Sequence, residues 1–153
     1  MDELILHLSE SIPQGLCFTE HHLKDYEISN AGINNYTLGA YYCRKTWKSG
    51  GVVIFIHNTL SYTPVNLTEY CNELDFEACA VKLKVLTKVF CTLCIYRPPT
   101  RNFVTFIHLL ESLLNKLYAN SINVIICGDV NINYLKASKH KNKLDPLLET
   151  YNL

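Results

Sequence analysis

Val124-Ile125-Ile126-Cys127-Gly128-Asp129-Val130-Asn131 is the stretch on which the fold turns. From Ile122 to Cys127 the chain is apolar except at Asn123 over a strand's length, then breaks at Gly128 and enters a polar loop. A run without polar alternation reads as a strand covered on both faces, the pattern of sheets flanked by helices. Immediately upstream, between Asn102 and Asn120, Phe103, Phe106, Ile107, Leu110, Leu113, Leu114 and Leu117 recur at intervals of three and four. That period belongs to an amphipathic helix with one apolar face.

Working back toward the N-terminus, Phe76 to Val85 and Lys88 to Tyr96 read as paired strands, stopped by Arg97-Pro98-Pro99 because proline cannot donate to a ladder. Tyr36 to Tyr42 and Gly51 to His57 read as a second pair joined across the basic stretch Lys45 to Gly50. The polar stretch His21 to Asn35 precedes them, and before it comes a short strand, Leu16-Cys17-Phe18, with Glu20 at its end. Leu4, Ile5 and Leu8 give Asp2 to Ser9 a helical spacing. Downstream of the central run, a last helix is expected to start near Leu144 with Pro146 in its first turn. Hairpins together with strand-helix-strand order imply a mixed sheet covered by helices, or two such sheets packed together.

Bulk properties narrow the classes. At 153 residues the chain suits a single domain spanning 1–153, since compact domains usually run to roughly 100–200 residues. With 48% hydrophobic and 18% charged residues it has the apolar surface a packed core requires. Fourteen basic and fourteen acidic side chains cancel, so bulk charge does not demand nucleic acid as a partner. Apolar runs such as Val52 to Ile56 fall short of the ~20 residues that cross a bilayer. The acidic start Met1-Asp2-Glu3 lacks the basic region of a secretory signal. The expectation is an intracellular protein, nuclear or cytoplasmic rather than secreted, with no membrane partner and idle sequons at Asn35 and Asn66.

Seven cysteines, scattered through strand-like segments, read as reduced, buried thiols rather than a disulfide framework. Cys91 and Cys94 have the spacing of a zinc knuckle, but three steps along a strand put them on opposite faces.

Candidate chemistry collects at strand ends, where α/β folds place their sites. Glu20, Tyr96, and Asp129 with Asn131 each follow an apolar run. A carboxylate such as Glu20 suits Mg²⁺, which takes oxygen ligands, keeps several waters and needs only one or two protein carboxylates beside a substrate phosphate. Asp129 and Asn131, two apart, would share a face of an extended stretch and address one phosphate and its attacking water, with Gly128 turning them outward. The carboxylate would orient or deprotonate water, the amide would donate to phosphate, and the Tyr96 hydroxyl would add a second donor. Plainer readings remain open here: Asp and Asn form turns, a strand-end Glu is often merely solvated, and a Tyr before Arg-Pro-Pro often only packs. Arg97 and the basic residues Arg44, Lys45 and Lys48 are candidates for phosphate contact or ordinary surface cations. The six histidines show no ligand spacing.

Four stretches together resemble the endonuclease/exonuclease/phosphatase superfamily, and most closely the apurinic-type endonuclease domain of non-LTR retrotransposons. Leu16-Cys17-Phe18-Thr19-Glu20 is similar to its strand ending in a metal-binding glutamate. Cys43-Arg44 through Gly50-Gly51 to Ile56 is similar to its Arg, glycine pair and apolar strand. Ile95-Tyr96-Arg97-Pro98-Pro99 and Cys127-Gly128-Asp129-Val130-Asn131 are similar to its Tyr-Arg-Pro-Pro and Gly-Asp-x-Asn motifs. Their order and spacing hold from about Leu4 to Leu153.

The resemblance implies a four-layer α/β/β/α sandwich, two mixed β-sheets packed face to face and flanked by helices, incomplete at both ends. By the same resemblance Glu20 would bind Mg²⁺ (or Mn²⁺), Tyr96 would support the scissile phosphate, and Asp129 with Asn131 would position water and phosphate. Glu77 matches a family position and reads as structural. The implied function is a Mg²⁺-dependent phosphodiesterase that nicks DNA, with a reverse transcriptase on the same chain in a full-length element. The family's first strand with its asparagine, and its closing aspartate and Asp-His pair, have no counterpart in this sequence. Two alternatives follow: a catalytically dead remnant or partial gene product with at most weak nucleic-acid or protein binding, and a phosphatase of the same superfamily.

Overall fold

The computed structural model describes residues 12–119 and 122–153. The helix expected over Asp2 to Ser9 lies outside the described residues. Among the described residues seven strands and three helices follow one another as β1 (Gly15–Thr19), α1 (Asp25–Ile28), β2 (Tyr36–Tyr42), β3 (Val52–His57), β4 (Tyr62–Val65), β5 (Glu77–Val85), β6 (Lys88–Tyr96), α2 (Phe103–Ala119), β7 (Asn123–Asp129) and α3 (Lys141–Thr150).

The strands form two sheets, one ordered β1-β3-β2 and the other β4-β5-β6-β7. All pairings are antiparallel except β6 with β7, which are joined through helix α2 and run parallel. Strand β3 is covered on both faces, which is why it is apolar at every step from Val52 to Ile56, whereas the edge strand β7, expected to be covered on both, leaves Ile125 half exposed. Val52, Ile54 and Ile56 point between the sheets and meet Cys79, Val81, Cys94 and Tyr96. Val53 and Phe55 point outward under Ile28, Ile33 and Tyr36. On the far side, α2 lays Phe106, Leu110, Leu113 and Leu114 onto Phe76, Ala78, Ala80, Leu93 and Ile95, with Leu144 of α3 alongside. The result is an α/β fold of two face-to-face sheets flanked by helices, as expected. No helix among the described residues is long and apolar enough to cross a membrane.

Several boundaries moved, each for a tertiary reason. Strand β4 was not anticipated: it contains Pro64, which an edge strand tolerates because one side of its ladder is empty. Strand β7 does not stop at Cys127 but continues through Gly128 to Asp129, held by parallel pairing that matches Ile95 with Gly128 and Tyr96 with Asp129. Helix α3 begins at Lys141 rather than near Leu144, so Pro146 lies inside it and not in its first turn. The expected separation of Cys91 and Cys94 holds: Cys91 packs under α2 and Cys94 lies between the sheets.

Candidate functional site

The topology gathers five strand ends at one rim. Strand β1 finishes where antiparallel β3 starts (Thr19 beside Val52), β5 starts where β6 finishes (Glu77 beside Tyr96), and β6 and β7 finish together (Tyr96 beside Asp129). Glu20, Gly51, Glu77, Tyr96 and Asp129 therefore share this edge, although they are spread over more than two-thirds of the sequence.

Glu20 is exposed, and leaves β1 in the left-handed region at φ 56°, its amide donating to the Gly51 carbonyl at 2.8 Å. Its carboxylate lies near enough to the Tyr96 hydroxyl to act on the ionisation of the phenol. Burial first, and this carboxylate second, push the Tyr96 phenol well above its ordinary value, so the group stays protonated and acts as a donor.

Behind these two residues lies a buried ion pair that single-residue reasoning missed. Glu77, 0% exposed, accepts from Arg44 Nε at 2.6 Å and from the Gly51 amide at 2.7 Å. The Arg44 guanidinium in turn sits 5.9 Å from the centre of the Tyr96 ring. One carboxylate thus fixes the amide of the residue whose carbonyl holds Glu20, and fixes the cation against Tyr96. Glu77 is structural, as expected. Arg44 is not a surface phosphate contact, since it is buried and committed to Glu77.

The glycine pair is required by this arrangement. Gly50 and Gly51 have φ of +86° and +88°, and a side chain on Gly51 would collide with the His21 ring. That ring is fixed: His21 Nε2 donates to the Tyr42 carbonyl at 3.1 Å while Nδ1 accepts from the Leu23 amide at 3.0 Å. Burial is the main cause holding His21 below its ordinary pKa, keeping the imidazole neutral. His22 Nδ1 accepts from the Gly50 amide at 2.9 Å. Both histidines serve the loops, in keeping with the lack of any ligand spacing.

Across the rim, Asp129 is exposed and its Oδ1 accepts the Asn131 amide at 2.7 Å. Asn131 has φ 50°, so it does not continue an extended stretch, and the expectation of two side chains leaving one strand face is corrected. Instead the two residues form a local turn. The Asn131 side chain is held by Nδ2 donating to the Arg97 carbonyl at 2.9 Å. Arg97 fixes the same turn from below, donating from Nε to the Val130 carbonyl at 2.9 Å, from Nη2 to that of Asn131 at 3.0 Å and from Nη1 to that of Pro98 at 3.1 Å. Its guanidinium is 1% exposed and lies 5.4 Å from the centre of the Phe103 ring. Arg97 is therefore an internal strut for Asp129 and Asn131, not a surface cation.

The outer rim is mixed aromatic and basic. The β2-β3 loop exposes Trp47, with Lys45 and Lys48 on either side, and Arg101, just past the prolines, places its guanidinium 5.8 Å from the Trp47 ring centre. Lys24 Nζ holds that loop from inside through the carbonyls of Arg44 (2.8 Å), Trp47 (3.2 Å) and Lys45 (3.3 Å). Glu73 accepts from the amides of Lys45 and Thr46. The loop is thus pre-shaped rather than free.

No family model and no curated protein matches this chain by sequence. Solved structures do. The endonuclease domain of TRAS1, a telomere-specific non-LTR retrotransposon, superposes with a TM-score of 0.72 at 10% identity, over 98% of this chain and 64% of that domain. D. rerio TDP2 complexed with single-strand DNA product gives 0.63 at 11% identity, over 94% of this chain and 56% of that one. The human Nocturnin catalytic domain gives 0.55 at 18% identity, over 85% and 55%. The chain thus spans less than two-thirds of the length of the structures it matches. It has the endonuclease/exonuclease/phosphatase fold.

Proposed function

We propose that this chain is a divalent-metal-dependent phosphodiesterase domain that nicks DNA, of non-LTR retrotransposon origin. The observation that carries the reading is the convergence of Glu20, Tyr96 and Asp129 on one rim, with the Glu20 carboxylate close enough to the Tyr96 hydroxyl to raise its pKa. The accessible donors there are carboxylate and phenol oxygens, which fit Mg²⁺ or Mn²⁺ and not a softer ion. Glu20 would hold the cation, which when bound supplies charge stabilisation to a phosphoryl oxygen.

The chain's own groups have defined tasks. Asp129, with one oxygen fixed by the Asn131 amide, keeps its other oxygen to orient and accept a proton from the attacking water. One Asn131 Nδ2 hydrogen is committed to Arg97, and the second donates to a phosphate oxygen. Tyr96, kept protonated by burial and by the nearby Glu20 carboxylate, offers its single O–H as a donor to developing charge. DNA rather than a small phosphoester is supported by the rim: an exposed Trp47 beside Arg101 offers a face for a base and cations for the backbone. The likeness to a protein complexed with single-strand DNA product supports the same class.

A second reading, a DNA-binding domain without turnover, is favoured by one observation: His21 and His22 are both engaged by backbone groups. Plasmid nicking separates the two. Mg²⁺-dependent nicking is expected, falling by about 100-fold or more in Asp129→Ala and stopping in chelator. Cleavage indifferent to chelator and to Asp129→Ala refutes the enzyme. Retention of DNA binding with no cleavage in any metal establishes the second reading.

A further inference from the structure

Directly beneath the rim, the inward faces of three strands bring Cys17 (β1), Cys94 (β6) and Cys127 (β7) together, with all three Sγ atoms within 4.8 Å of one another. The three come from distant positions and from both sheets, so no local motif announces them. A Zn–S bond of about 2.3 Å places tetrahedral thiolates about 3.8 Å apart, so the three need close only slightly to share an ion. Cys79, the register partner of Cys94 on β5, is 3% exposed and packs in the same core cluster, just outside the three sulfurs that lie within 4.8 Å of one another. Four thiols therefore belong to one core cluster between the sheets, three of them in mutual contact range.

We propose that Cys17, Cys94 and Cys127, with Cys79 as fourth ligand, form a structural thiolate site for Zn²⁺. Sulfur ligands select a thiophilic d¹⁰ ion over Mg²⁺, so this site and the oxygen-lined rim choose different metals. A disulfide would use only two of the thiols and requires an oxidant. The Cys94 thiol donates to the Phe18 carbonyl at 3.8 Å and that of Cys127 to the Leu93 carbonyl at 3.5 Å. Both contacts are long and weak, so little is lost when each ligating thiol gives its proton to solvent and binds the ion as thiolate. Cys17 and Cys127 are half-buried where β1 faces β7, which gives the ion a way in. Cys94 lies two residues before Tyr96, Cys127 two before Asp129 and Cys17 three before Glu20. The ion would staple together the three strands that present the rim.

The test is anaerobic titration of the reduced full chain with Cd²⁺ and Zn²⁺, followed by thiolate-to-metal charge-transfer absorption, proton release and thermal melting. Saturation at one equivalent with a raised melting temperature is expected for the native chain and for Cys91→Ser, whose thiol lies on the other face of β6. Cys127→Ser should lose stoichiometric binding, and Cys79→Ser should bind at least about tenfold more weakly. Near-ultraviolet circular dichroism of each metal-free variant establishes that it is folded. Absence of a one-equivalent endpoint, or an unchanged endpoint in folded Cys127→Ser, overturns the site. Glu20→Gln leaves the charge-transfer signal intact, so this result stands apart from the outcome of the nicking assay.

Discussion

Replacing Gly128 by alanine tests how Asp129 is delivered to the rim. Gly128 has φ +126°, a conformation that L side chains rarely adopt, and it pairs with Ile95 across the parallel β6-β7 ladder. A Cβ built there would overlap the Ile95 carbonyl oxygen and lie 2.9 Å from both its carbonyl carbon and its amide nitrogen. All three are backbone atoms of a buried strand, so no side-chain rotation relieves the clash. Backbone strain of about 1–3 kcal/mol adds to an overpacking cost of about 1–3 kcal/mol. The sum, about 2–6 kcal/mol, is a large part of the 5–15 kcal/mol typical of a domain. Urea unfolding of Gly128→Ala should show that loss. Gly32→Ala, whose added methyl would meet nothing within 4 Å, serves as the control and should be neutral or slightly stabilising. A Gly128→Ala midpoint within about 0.5 kcal/mol of the native protein would refute the steric reasoning and with it the argument that this glycine sets the position of Asp129.

Arg97→Ala strands three backbone carbonyls and should cost about 1–3 kcal/mol for each that stays dry in denaturant unfolding, with the 129–131 turn losing amide-exchange protection before the rest. Glu77→Ala leaves the buried Arg44 charge unpaired and should cost about 3–5 kcal/mol, whereas the double variant Arg44→Met/Glu77→Leu should recover much of it in the same assay. His21 is held below its ordinary value of 6.5 chiefly by burial. As pH falls through that value the unfolded chain takes up a proton that the folded chain refuses, so stability is complete above it and declines below. Melting temperatures measured between pH 7 and pH 5 should fall with acid, and His21→Gln should flatten that limb. Equal slopes in the two proteins would show that His21 is not the group responsible.

The sheet edges connect these predictions. Among the described residues β1 and β7 are edge strands of opposite sheets, and they carry Glu20 and Asp129 at their ends. An edge strand has fewer backbone bonds to hold it, so buried cross-links matter more there than in a central strand. Arg97 pins the end of β7, the Glu77-Gly51 contact pins the end of β1, and the cysteine cluster lies between the two strands.

Much of this was legible in the sequence because it depends on neighbours along the chain. The three-and-four spacing from Phe103 to Leu117 determined helix α2, the apolar runs determined β3, β6 and β7, and strand ends marked Glu20, Tyr96 and Asp129 as candidate chemistry. The opposite orientation of Cys91 and Cys94 followed from the two-residue period of a strand. Only the tertiary structure decided which strand ends meet, because pairing and register are set by contacts between segments far apart in sequence. Register extended β7 to Asp129 and made Gly128 a packing requirement rather than a strand terminator. Sheet stacking placed Cys17, on one sheet, against Cys94 and Cys127 on the other. Burial turned Arg44 and Arg97 from apparent surface cations into internal struts, since a charge withdrawn from water is tolerated only where fixed partners surround it, and those partners come from distant segments.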